Sequence, residues 1–395
     1  MAVRKISPDR PPPRIPARDM QEVPVRLKRE TDDSYKILIA PGLFEQAASR
    51  LARLFGGCAF VVVSDSNVAG LYAAALTAKL RELGRRVAAP IVFPAGEQSK
   101  SRRVKSRVED RMFRSGLGRD TVVVALGGGV VGDVAGFVAA TYARGVELVQ
   151  IPTSLLAMVD SSIGGKTGLD VPWGKNLIGA FHQPAIVLID PRLLGTLDPA
   201  QFRAGMAEVV KHAVIRDRPL FKFIEANLAG IIRNDEELLA ELIARNCRIK
   251  AAVVEEDERE SNLRQILNFG HTVGHAVEAC CGYRLLHGEA VAAGMCVEAD
   301  LARRMGLLAG EAARQVSALL QRLKLPVDLA GLKISAEKLI ELTALDKKAR
   351  QGRPKYALPC AVGEMARAVG GSYVHEVDER LVREALLEKG VLPSR

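Results

Sequence analysis

Aromatic side chains are scarce in this sequence. They make up 5% of its residues, and Trp173 is the single tryptophan, which argues against the stacking platforms that bind single-stranded nucleic acid. None of the six cysteines forms a CxxC pair or a zinc-finger spacing, a pattern that favours reduced thiols in the cytoplasm. No apolar run reaches the ~18 residues of a membrane span, and the N-terminus lacks the apolar segment of a signal peptide. We therefore expect no membrane partner.

The charge balance is basic, with a formal net charge of +10. Lysine and arginine are dispersed, and much of the positive excess lies in an N-terminal arm that is proline-rich over 7–16. Because proline fixes φ and removes a backbone donor, we expect 1–20 to be a disordered leader. Dispersed charge predicts no nucleic-acid partner and favours instead a small substrate that carries several negative charges.

The order of predicted elements indicates two further domains. Over 21–190, Val/Ile-rich runs alternate with helical patterns, which predicts an α/β Rossmann-like domain with a parallel sheet. Its strands are predicted at 59–64, 88–93, 121–126, 146–151 and 186–189, and two of its helices at 72–83 and 100–114. A mostly α-helical domain is predicted over 191–395, with helices at 199–216, 236–255, 264–281, 286–305 and 310–323. Ligands bind beyond the carboxyl ends of parallel strands, so we expect the active site in the interdomain cleft.

A glycine-rich turn follows the third predicted strand. Gly127, Gly129 and Gly132 keep the G-x-G-x-x-G spacing of dinucleotide sites, and Gly132 with Asp133 is predicted to open a helix. The acidic ribose ligand expected about 20 residues on is missing, because 148–150 are Leu-Val-Gln. The turn alone is therefore also compatible with a simple strand–helix connection.

An acidic residue stands at the end of the first predicted strand. Asp65 could accept ribose hydroxyls there, with Asn67 assisting, or it could cap the following helix. The stretch 96–100 has two interpretations as well, a helix start or a further cofactor contact. The residues themselves leave both alternatives open.

Two glycine–lysine pairs follow the fourth predicted strand. They are Gly165 with Lys166 and Gly174 with Lys175, and Asn176 comes next. Glycine-rich backbone beside lysine suits phosphate or carboxylate binding, although the spacing is not that of a P-loop. Asp160 lies upstream among small polar residues and could orient one of these lysines.

Histidines cluster in the second half of the chain. His271 and His275 are four residues apart on one predicted helix face, His287 begins the next predicted helix, and His212 lies upstream. Glu208 lies near His212, so two histidines with this carboxylate could form a catalytic zinc site. Spacing alone favours His271 with His275. It also allows Glu208 to form a surface ion pair with Lys211, three residues later.

Five long stretches carry a resemblance to known proteins. They are GGGVVGDVAGFVAATYARG at 127–145, IPTSLLAMVDSSIGGKTGLDVPWGKNLIGAFHQP at 151–184, GMAEVVKH at 205–212, DERESNLR at 257–264 and LNFGHTVGHAVEACCGYRLLHGEAVAAGM at 267–295. Together they closely resemble the 3-dehydroquinate synthases, a family of sugar-phosphate cyclases. The resemblance covers roughly 25–390 and leaves 1–20 outside it.

The resemblance implies a cytoplasmic, homodimeric enzyme with NAD and a divalent metal, Zn2+ or Co2+, as cofactors. Its substrate would be 3-deoxy-D-arabino-heptulosonate 7-phosphate, an anionic sugar phosphate of the shikimate pathway that leads to chorismate and aromatic amino acids. A carbon–oxygen lyase would convert it to 3-dehydroquinate and phosphate. The steps implied are transient oxidation by NAD, phosphate elimination, re-reduction and intramolecular aldol closure.

The resemblance also assigns cofactor residues. It implies Glu208, His271 and His287 as metal ligands and leaves His275 as a substrate contact. It implies NAD contacts at Asp65, Asn67, Glu97, Lys100, Gly128, Gly129, Val130, Val131, Gly132, Asp133, Thr153, Ser154, Lys166, Lys175, Leu193 and Thr196.

Substrate and catalytic roles are implied for a further set of polar residues. They are Asp160, Lys166, Asn176, Lys211, Lys250, Arg259, Arg264, Asn268 and His275, with Lys347 or Lys348 of a DKK motif. Arg144 would reach into the site of a second subunit. The departing phosphate would itself help to move a proton, so its binding groups would be catalytic as well.

Departures from the family pattern are small. Ser154 replaces a threonine and keeps the hydroxyl, and Ser261 with Asn262 replaces Thr-Gly. One alternative is a related cyclase that makes a valiolone or an inosose, but Lys250, Asn268 and His275 keep the dehydroquinate-type identities. The other alternative is a metal-dependent polyol dehydrogenase, which would consume one NAD+ for each substrate molecule that it oxidises.

Overall fold

A parallel sheet dominates the first half of the structure, a computed structural model that describes residues 32–282, 284–345 and 354–393. Strands in this half are β1 (Lys36–Ile39), β2 (Ala59–Asp65), β3 (Arg86–Val87), β4 (Ile91–Phe93), β5 (Thr121–Gly127), β6 (Glu147–Pro152), β7 (Lys166–Val171), β8 (Gly174–Phe181) and β9 (Ile186–Ile189). Seven of them pair in parallel in the order β1-β9-β6-β5-β2-β3, with β4 also on β2. β7 and β8 form a separate antiparallel hairpin.

The central strands are buried on both faces. Phe60 and Val62 of β2 enter one apolar core, whereas Val61 and Val63 enter a second core on the opposite face. This alternation explains why β2 is a nearly continuous Val run rather than an apolar–polar repeat. The first core continues into the helical half through residues such as Met206.

Helices cover the sheet and build the second half. The first four are α1 (Leu43–Leu54), α2 (Ala74–Glu82), α3 (Arg102–Arg114) and α4 (Gly129–Thr141). The later ones are α5 (Pro199–Arg216), α6 (Arg218–Ile232), α7 (Glu236–Glu256), α8 (His271–Cys280), α9 (His287–Arg304), α10 (Gly310–Arg322), α11 (Ala336–Leu345) and α12 (Glu379–Glu388). Short antiparallel pairs join β10 (Lys355–Tyr356) to β13 (His375–Glu376) and β11 (Pro359–Ala361) to β12 (Glu364–Met365). Within the described ranges, no helix has the length and apolarity to cross a membrane.

The predicted fold class is confirmed, with corrections to individual strands. Predicted strands at 59–64, 121–126, 146–151 and 186–189 agree with β2, β5, β6 and β9 to within a residue at each end. The predicted strand at 88–93 is wrong in part, since β3 and β4 are separate and Pro90, which has no N–H to donate, lies between them. β1, α1 and the β7–β8 hairpin were not predicted.

Two helix starts also differ from prediction, both at glycine. The helix predicted at 264–281 is instead a 3-10 turn, Leu263–Asn268, followed by α8, because Gly270 adopts a left-handed φ of 80° that interrupts the helix. After the glycine-rich turn, α4 begins at Gly129 rather than at Gly132. As a result, Gly132 and Asp133 lie in the first turns of α4.

Glycines bring three helices into backbone contact. A β-carbon added to Gly288 of α9 would overlap the carbonyl of Ala204 on α5, and one added to Gly294 would overlap the carbonyl of Gly270. Gly274 of α8 lies against the backbone of Ala290 at 3.2 Å from such a carbon. The absence of side chains at these positions therefore fixes the spacing of α5, α8 and α9.

We expect Gly294→Ala to lower the free energy of unfolding by about 1–3 kcal/mol, because the added methyl must push α8 and α9 apart. Urea unfolding followed by circular dichroism measures this change. Gly70→Ala is the matched control, since no atom lies within 4 Å of its β-carbon position, and it should change stability by less than about 0.5 kcal/mol. Equal losses in both variants would contradict the close-contact explanation.

Candidate active site

Three potential metal ligands meet where α5, α8 and α9 converge. Glu208 lies in the middle of α5, and His271 and His287 are the first residues of α8 and α9. Each imidazole Nε2 lies 3.5 Å from Oε1 of Glu208. One ligand atom from each residue lies within 4.8 Å of the others. Two histidines and a carboxylate leave a coordination position open, as in catalytic zinc sites.

The surroundings of Glu208 fit a bound cation. Its side chain is fully buried, and its Oε1 lies 3.5 Å from Nε2 of both His271 and His287, longer than an ordinary N–H···O hydrogen bond. Lys211, one turn along α5, forms a buried ion pair with it, so the predicted alternative of a surface pair is wrong. A buried carboxylate is strongly destabilising unless positive charge lies beside it. Imidazole and carboxylate donors suit Zn2+ or Co2+.

Each histidine of this cluster is oriented through its second nitrogen. His271 Nδ1 lies 3.2 Å from the carbonyl of Phe269, and His287 Nδ1 lies 3.2 Å from Oε2 of Glu278. These contacts of Nδ1 orient each ring so that its Nε2 faces Glu208. Burial holds the pKa of His271 well below its usual range. Burial also acts to lower the pKa of His287, but the neighbouring carboxylates of Glu208 and Glu278 raise it to about 10.

The two other candidate histidines have different neighbours. His275 lies one turn after His271, with ring centroids 5.4 Å apart. One ring nitrogen of His275 lies within 4.8 Å of potential ligand atoms of Glu278 and His287. His212 is fully buried, with Nδ1 3.2 Å from Asn246 Oδ1 and Nε2 3.8 Å from Asp160 Oδ1. Burial and Lys211 lower the pKa of His212 to about 4, so it is neutral.

A second buried ion pair lies beside the first. Asp160 pairs with Lys250 of α7, whose ammonium also donates to the Asp160 carbonyl at 2.5 Å. Burial raises the pKa of the Asp160 carboxyl, but Lys250 and Lys211 reverse the effect and hold it below its usual range. The carboxylate suggested as an orienting group for Lys166 or Lys175 therefore lies beside Lys250. With Glu208 and Lys211, the pair forms a cluster of two acids and two ammonium groups.

A tight turn after α7 presents another carboxylate. Glu260 has a left-handed φ of 60°, which is uncommon for a residue with a side chain. It pairs with Lys166 and accepts a hydrogen bond from Asn268 Nδ2 at 3.0 Å. Asp257 fixes the turn by accepting from the amides of Ser261, Asn262 and Arg264 at 2.8–3.0 Å.

The two arginines near this turn differ in position. Arg264 is buried and donates to the carbonyls of Glu258 and Gly164 at 2.5 and 3.1 Å. Arg259 is 70% exposed, and its guanidinium lies 4.8 Å from the ring centre of Phe181 in β8. The structure thus brings Arg264 into the buried polar cluster and leaves Arg259 at its rim.

The β7–β8 hairpin supplies the two predicted lysines. Lys166 begins β7, and Lys175 of β8 contacts Glu278 at 3.0 Å and Glu97 at 3.4 Å. Burial acts to lower the pKa of Lys175, but Glu278 and Glu97 raise it overall. Asn176 is exposed on β8, with a left-handed φ of 56°.

Most of the predicted nucleotide contacts lie at the carboxyl ends of neighbouring strands. Asp65 ends β2, and its Oδ1 accepts the amides of Asn67 and Val68 at 2.8 and 3.0 Å. These bonds close a turn after β2 and do not cap a helix, since the helical segment Ala69–Ala73 has Val68 as its N-cap residue, with no side-chain cap bond. The glycine-rich turn follows β5, where Gly128 precedes α4, which contains Gly129, Val130, Val131, Gly132 and Asp133. Thr153 and Ser154 follow β6.

Side chains from other segments surround this edge of the sheet. Lys100 forms a buried ion pair with Asp133, and burial raises the pKa of that carboxyl despite the lysine. Leu193 is buried, and the hydroxyl of Thr196 lies 2.7 Å from that of Tyr72. A dinucleotide could lie across these strand ends, its phosphates near the start of α4.

Three predicted residues lie away from this cluster or beyond the described part of the chain. Arg144 is exposed on the loop after α4, where Ala143 and Arg144 have consecutive left-handed φ values of 50° and 72°. Lys347 and Lys348 lie outside the described residues.

Two carboxylates of the site were not among the predicted residues. Glu260 lies in DERESNLR and Glu278 in the histidine-containing stretch, so both were inside motifs that carried the resemblance. The signal that could have found Glu260 is an acid in a loop between two arginines, Arg259 directly before it and Arg264 four residues after it. Glu278 is seven residues after His271, on the same face of a helix, which is a spacing that places it near a ligand.

Comparison with known families matches most of the chain. Residues 90–204 match the family described as 3-dehydroquinate synthase N-terminal, and residues 205–349 match 3-dehydroquinate synthase C-terminal. Among solved structures, 2-epi-5-epi-valiolone synthase from Streptomyces hygroscopicus, with NAD+ and Zn2+ bound, is 30% identical with a TM-score of 0.82, covering 92% of this chain and 99% of that one. 2-deoxy-scyllo-inosose synthase, complexed with carbaglucose-6-phosphate, NAD+ and Co2+, is 28% identical with a TM-score of 0.81, covering 90% and 97%. The fold is that of the sugar-phosphate cyclases.

Curated relatives narrow the class further. The 3-dehydroquinate synthase of Caldanaerobacter subterraneus is 45% identical over 347 residues, which is 88% of this chain and 96% of that protein. The 3-dehydroquinate synthase of Symbiobacterium thermophilum is 47% identical over 336 residues, which is 85% of this chain and 93% of that protein. The chain belongs to the 3-dehydroquinate synthase family.

We expect the stabilising effect of Asp257 to disappear in acid. Burial raises the pKa of this carboxyl, but the three amides and the Ser261 hydroxyl lower it to about 2, below the ordinary value of 3.8. A carboxyl with a lowered pKa stabilises the fold above its unfolded pKa and loses that effect as pH falls toward the folded pKa. Asp257→Asn should therefore be less stable than the natural protein by about 1–3 kcal/mol at pH 7, a gap that narrows between about pH 4 and pH 2.

Urea unfolding of both proteins across this pH range measures the gap. Asp110→Asn, at an exposed position on α3, is the matched control and should leave stability nearly unchanged at every pH. A gap for Asp257→Asn that stays constant down to pH 2 would contradict the role of the ionised carboxylate.

Proposed function

We propose that the protein is a 3-dehydroquinate synthase that converts 3-deoxy-D-arabino-heptulosonate 7-phosphate to 3-dehydroquinate and phosphate. The observation that carries the proposal is the difference in similarity between the relatives. The 3-dehydroquinate synthases are 45% and 47% identical to this chain, whereas the valiolone and inosose synthases of the same fold are 30% and 28% identical. This reaction makes the enzyme a phosphate-eliminating carbon–oxygen lyase.

The proposed cofactors are NAD and a divalent metal, Zn2+ or Co2+. Glu208, His271 and His287 would hold the metal, which when bound lowers the pKa of a coordinated substrate hydroxyl. The strand-end residues of β2, β5 and β6, with Lys100, Lys175 and their neighbours, would hold NAD, which when bound accepts a hydride and later returns it. We accordingly assign 21–190 to an NAD-binding domain and 191–395 to a metal- and substrate-binding domain.

The buried ion pairs are suited to a multiply charged substrate. Lys211 and Lys250 each have a carboxylate partner, Glu208 and Asp160, so their ammonium groups are already fixed in place before a ligand arrives. Fixed cationic donors bind carboxylate and phosphate without a large loss of side-chain entropy. Arg264, held by two backbone carbonyls, adds a further fixed positive charge.

Proton movement would take place around the departing phosphate. We assign phosphate contacts to Lys166, Asn176, Asn268 and His275, with Lys347 or Lys348 as a further cation. Lys166 and Asn268 share Glu260 as their acceptor. A phosphate that displaced Glu260 from these two donors would leave a carboxylate able to accept a proton nearby. The elimination then needs positioning more than a separate strong base.

The assembly and location are also proposals. A homodimer would explain the strained loop at Ala143 and Arg144, because a backbone held in the left-handed region there directs the exposed Arg144 side chain outward. The chain's free cysteines suit a reducing compartment such as the cytoplasm.

Phosphate release from the heptulosonate phosphate tests the proposal. With NAD+ and metal present, we expect phosphate and 3-dehydroquinate in equal amounts and no accumulation of NADH, because the hydride returns to the substrate. A chelator should abolish release, and added Zn2+ or Co2+ should restore it. Net NADH formation would favour a polyol dehydrogenase, and no release under these conditions would overturn the proposal.

We expect His275→Ala to lower turnover by about 100-fold or more while leaving metal content unchanged, because His275 would contact phosphate rather than metal. Metal analysis of the purified variant and steady-state kinetics provide the two measurements. His271→Ala is the matched control at one helical turn and should lose bound metal. Loss of metal from His275→Ala would contradict the assignment of ligands.

A further inference from the structure

Glu278 contacts residues in two parts of the site. It lies on α8, with its side chain 3% exposed. Its Oε1 contacts the ammonium of Lys175 at 3.0 Å, and its Oε2 contacts Nδ1 of His287 at 3.2 Å. One buried carboxylate thus bridges a lysine of the β7–β8 hairpin and a residue of the metal cluster.

The connection extends to the edge of the sheet. Lys175 also contacts Glu97 at 3.4 Å, and Glu97 begins the short helix Glu97–Ser99 after β4. The side chain of Glu97 is 42% exposed, whereas that of Glu278 is 3% exposed. The contact with Glu278 is therefore the better shielded of the two, and we expect it to hold Lys175 in place more strongly.

The geometry points to Glu278 as a positioning residue that couples the metal site to the nucleotide site, an inference that rests on the cofactors of the proposed function. The contact of Glu278 with Nδ1 of His287 orients the ring so that Nε2 faces Glu208, where the metal would bind. A cation on Nε2 strengthens the Nδ1 donor and so fixes Glu278, which in turn fixes Lys175 and the hairpin. Metal and NAD+ therefore bind with positive cooperativity, and each tightens the other by the same factor.

Calorimetric titration of NAD+ into the full-length protein, metal-free and Co2+-loaded, measures this factor without any turnover. In the natural protein, we expect Co2+ to tighten NAD+ binding at least about 5-fold. In Glu278→Gln, which cannot serve both partners as an anion, the ratio of the two affinities should fall close to one. Glu311→Gln makes the same chemical change at an exposed position of α10 and should keep the natural ratio.

A second variant tests the inference independently, in case Glu278→Gln does not fold. Lys175→Met removes the partner of Glu278 on the nucleotide side and keeps its contact with His287. This variant should retain its affinity for Co2+, but the ratio of its NAD+ affinities with and without Co2+ should fall close to one. A purely structural role for Glu278 would lower stability and both affinities without changing the ratio. A natural ratio in either Glu278→Gln or Lys175→Met would overturn the inference.

Failure of the inference can be distinguished from failure of the proposed function. A natural protein that turns over the heptulosonate phosphate but shows a ratio near one would overturn the coupling alone. Coupled binding without turnover would overturn the proposed reaction alone. If neither NAD+ nor Co2+ binds, both are wrong.

Discussion

The carboxylate of Glu208 has no contact with solvent, and an ionised carboxylate in such surroundings is destabilised by several kcal/mol unless charges compensate it. Lys211 supplies one compensating charge from the same helix. His271 and His287 approach from two other helices, and their remaining nitrogens are fixed by Phe269 and Glu278. Packing of α5, α8 and α9 is thus tied to one buried charge, and the same shielding from water makes Glu208 a strong ligand for a cation.

Three other acidic side chains of the site also form ion pairs with lysines from distant segments of the chain. Asp160 pairs with Lys250, Glu260 with Lys166, and Glu278 with Lys175. Lys166 and Lys175 belong to the β7–β8 hairpin, so ion pairs join this hairpin to the helical half. An anionic ligand can replace a protein carboxylate as the partner of such a lysine.

Local patterns in the sequence were enough to locate the strands buried on both faces, because a Val/Ile run reports burial directly. The β7–β8 hairpin gave no such signal, since its glycines and lysines do not alternate. Gly270 interrupts a pattern that otherwise predicts one continuous helix, and a left-handed φ is invisible to periodicity. Spacing favoured His271 with His275 as a pair, whereas the structure brings His287, from another helix, as close to Glu208 as His271. That contact is long-range, and only the family resemblance anticipated it.

The backbone contacts at Gly288 and Gly294 have a consequence for protein engineering. They set the separation of the three helices that present Glu208, His271 and His287, yet neither glycine has a side chain that a metal or a substrate could touch. Transplanting these three side chains onto another helical scaffold would not reproduce the backbone spacing that brings them together. A design that copies the arrangement must therefore include the glycines as well as the three side chains.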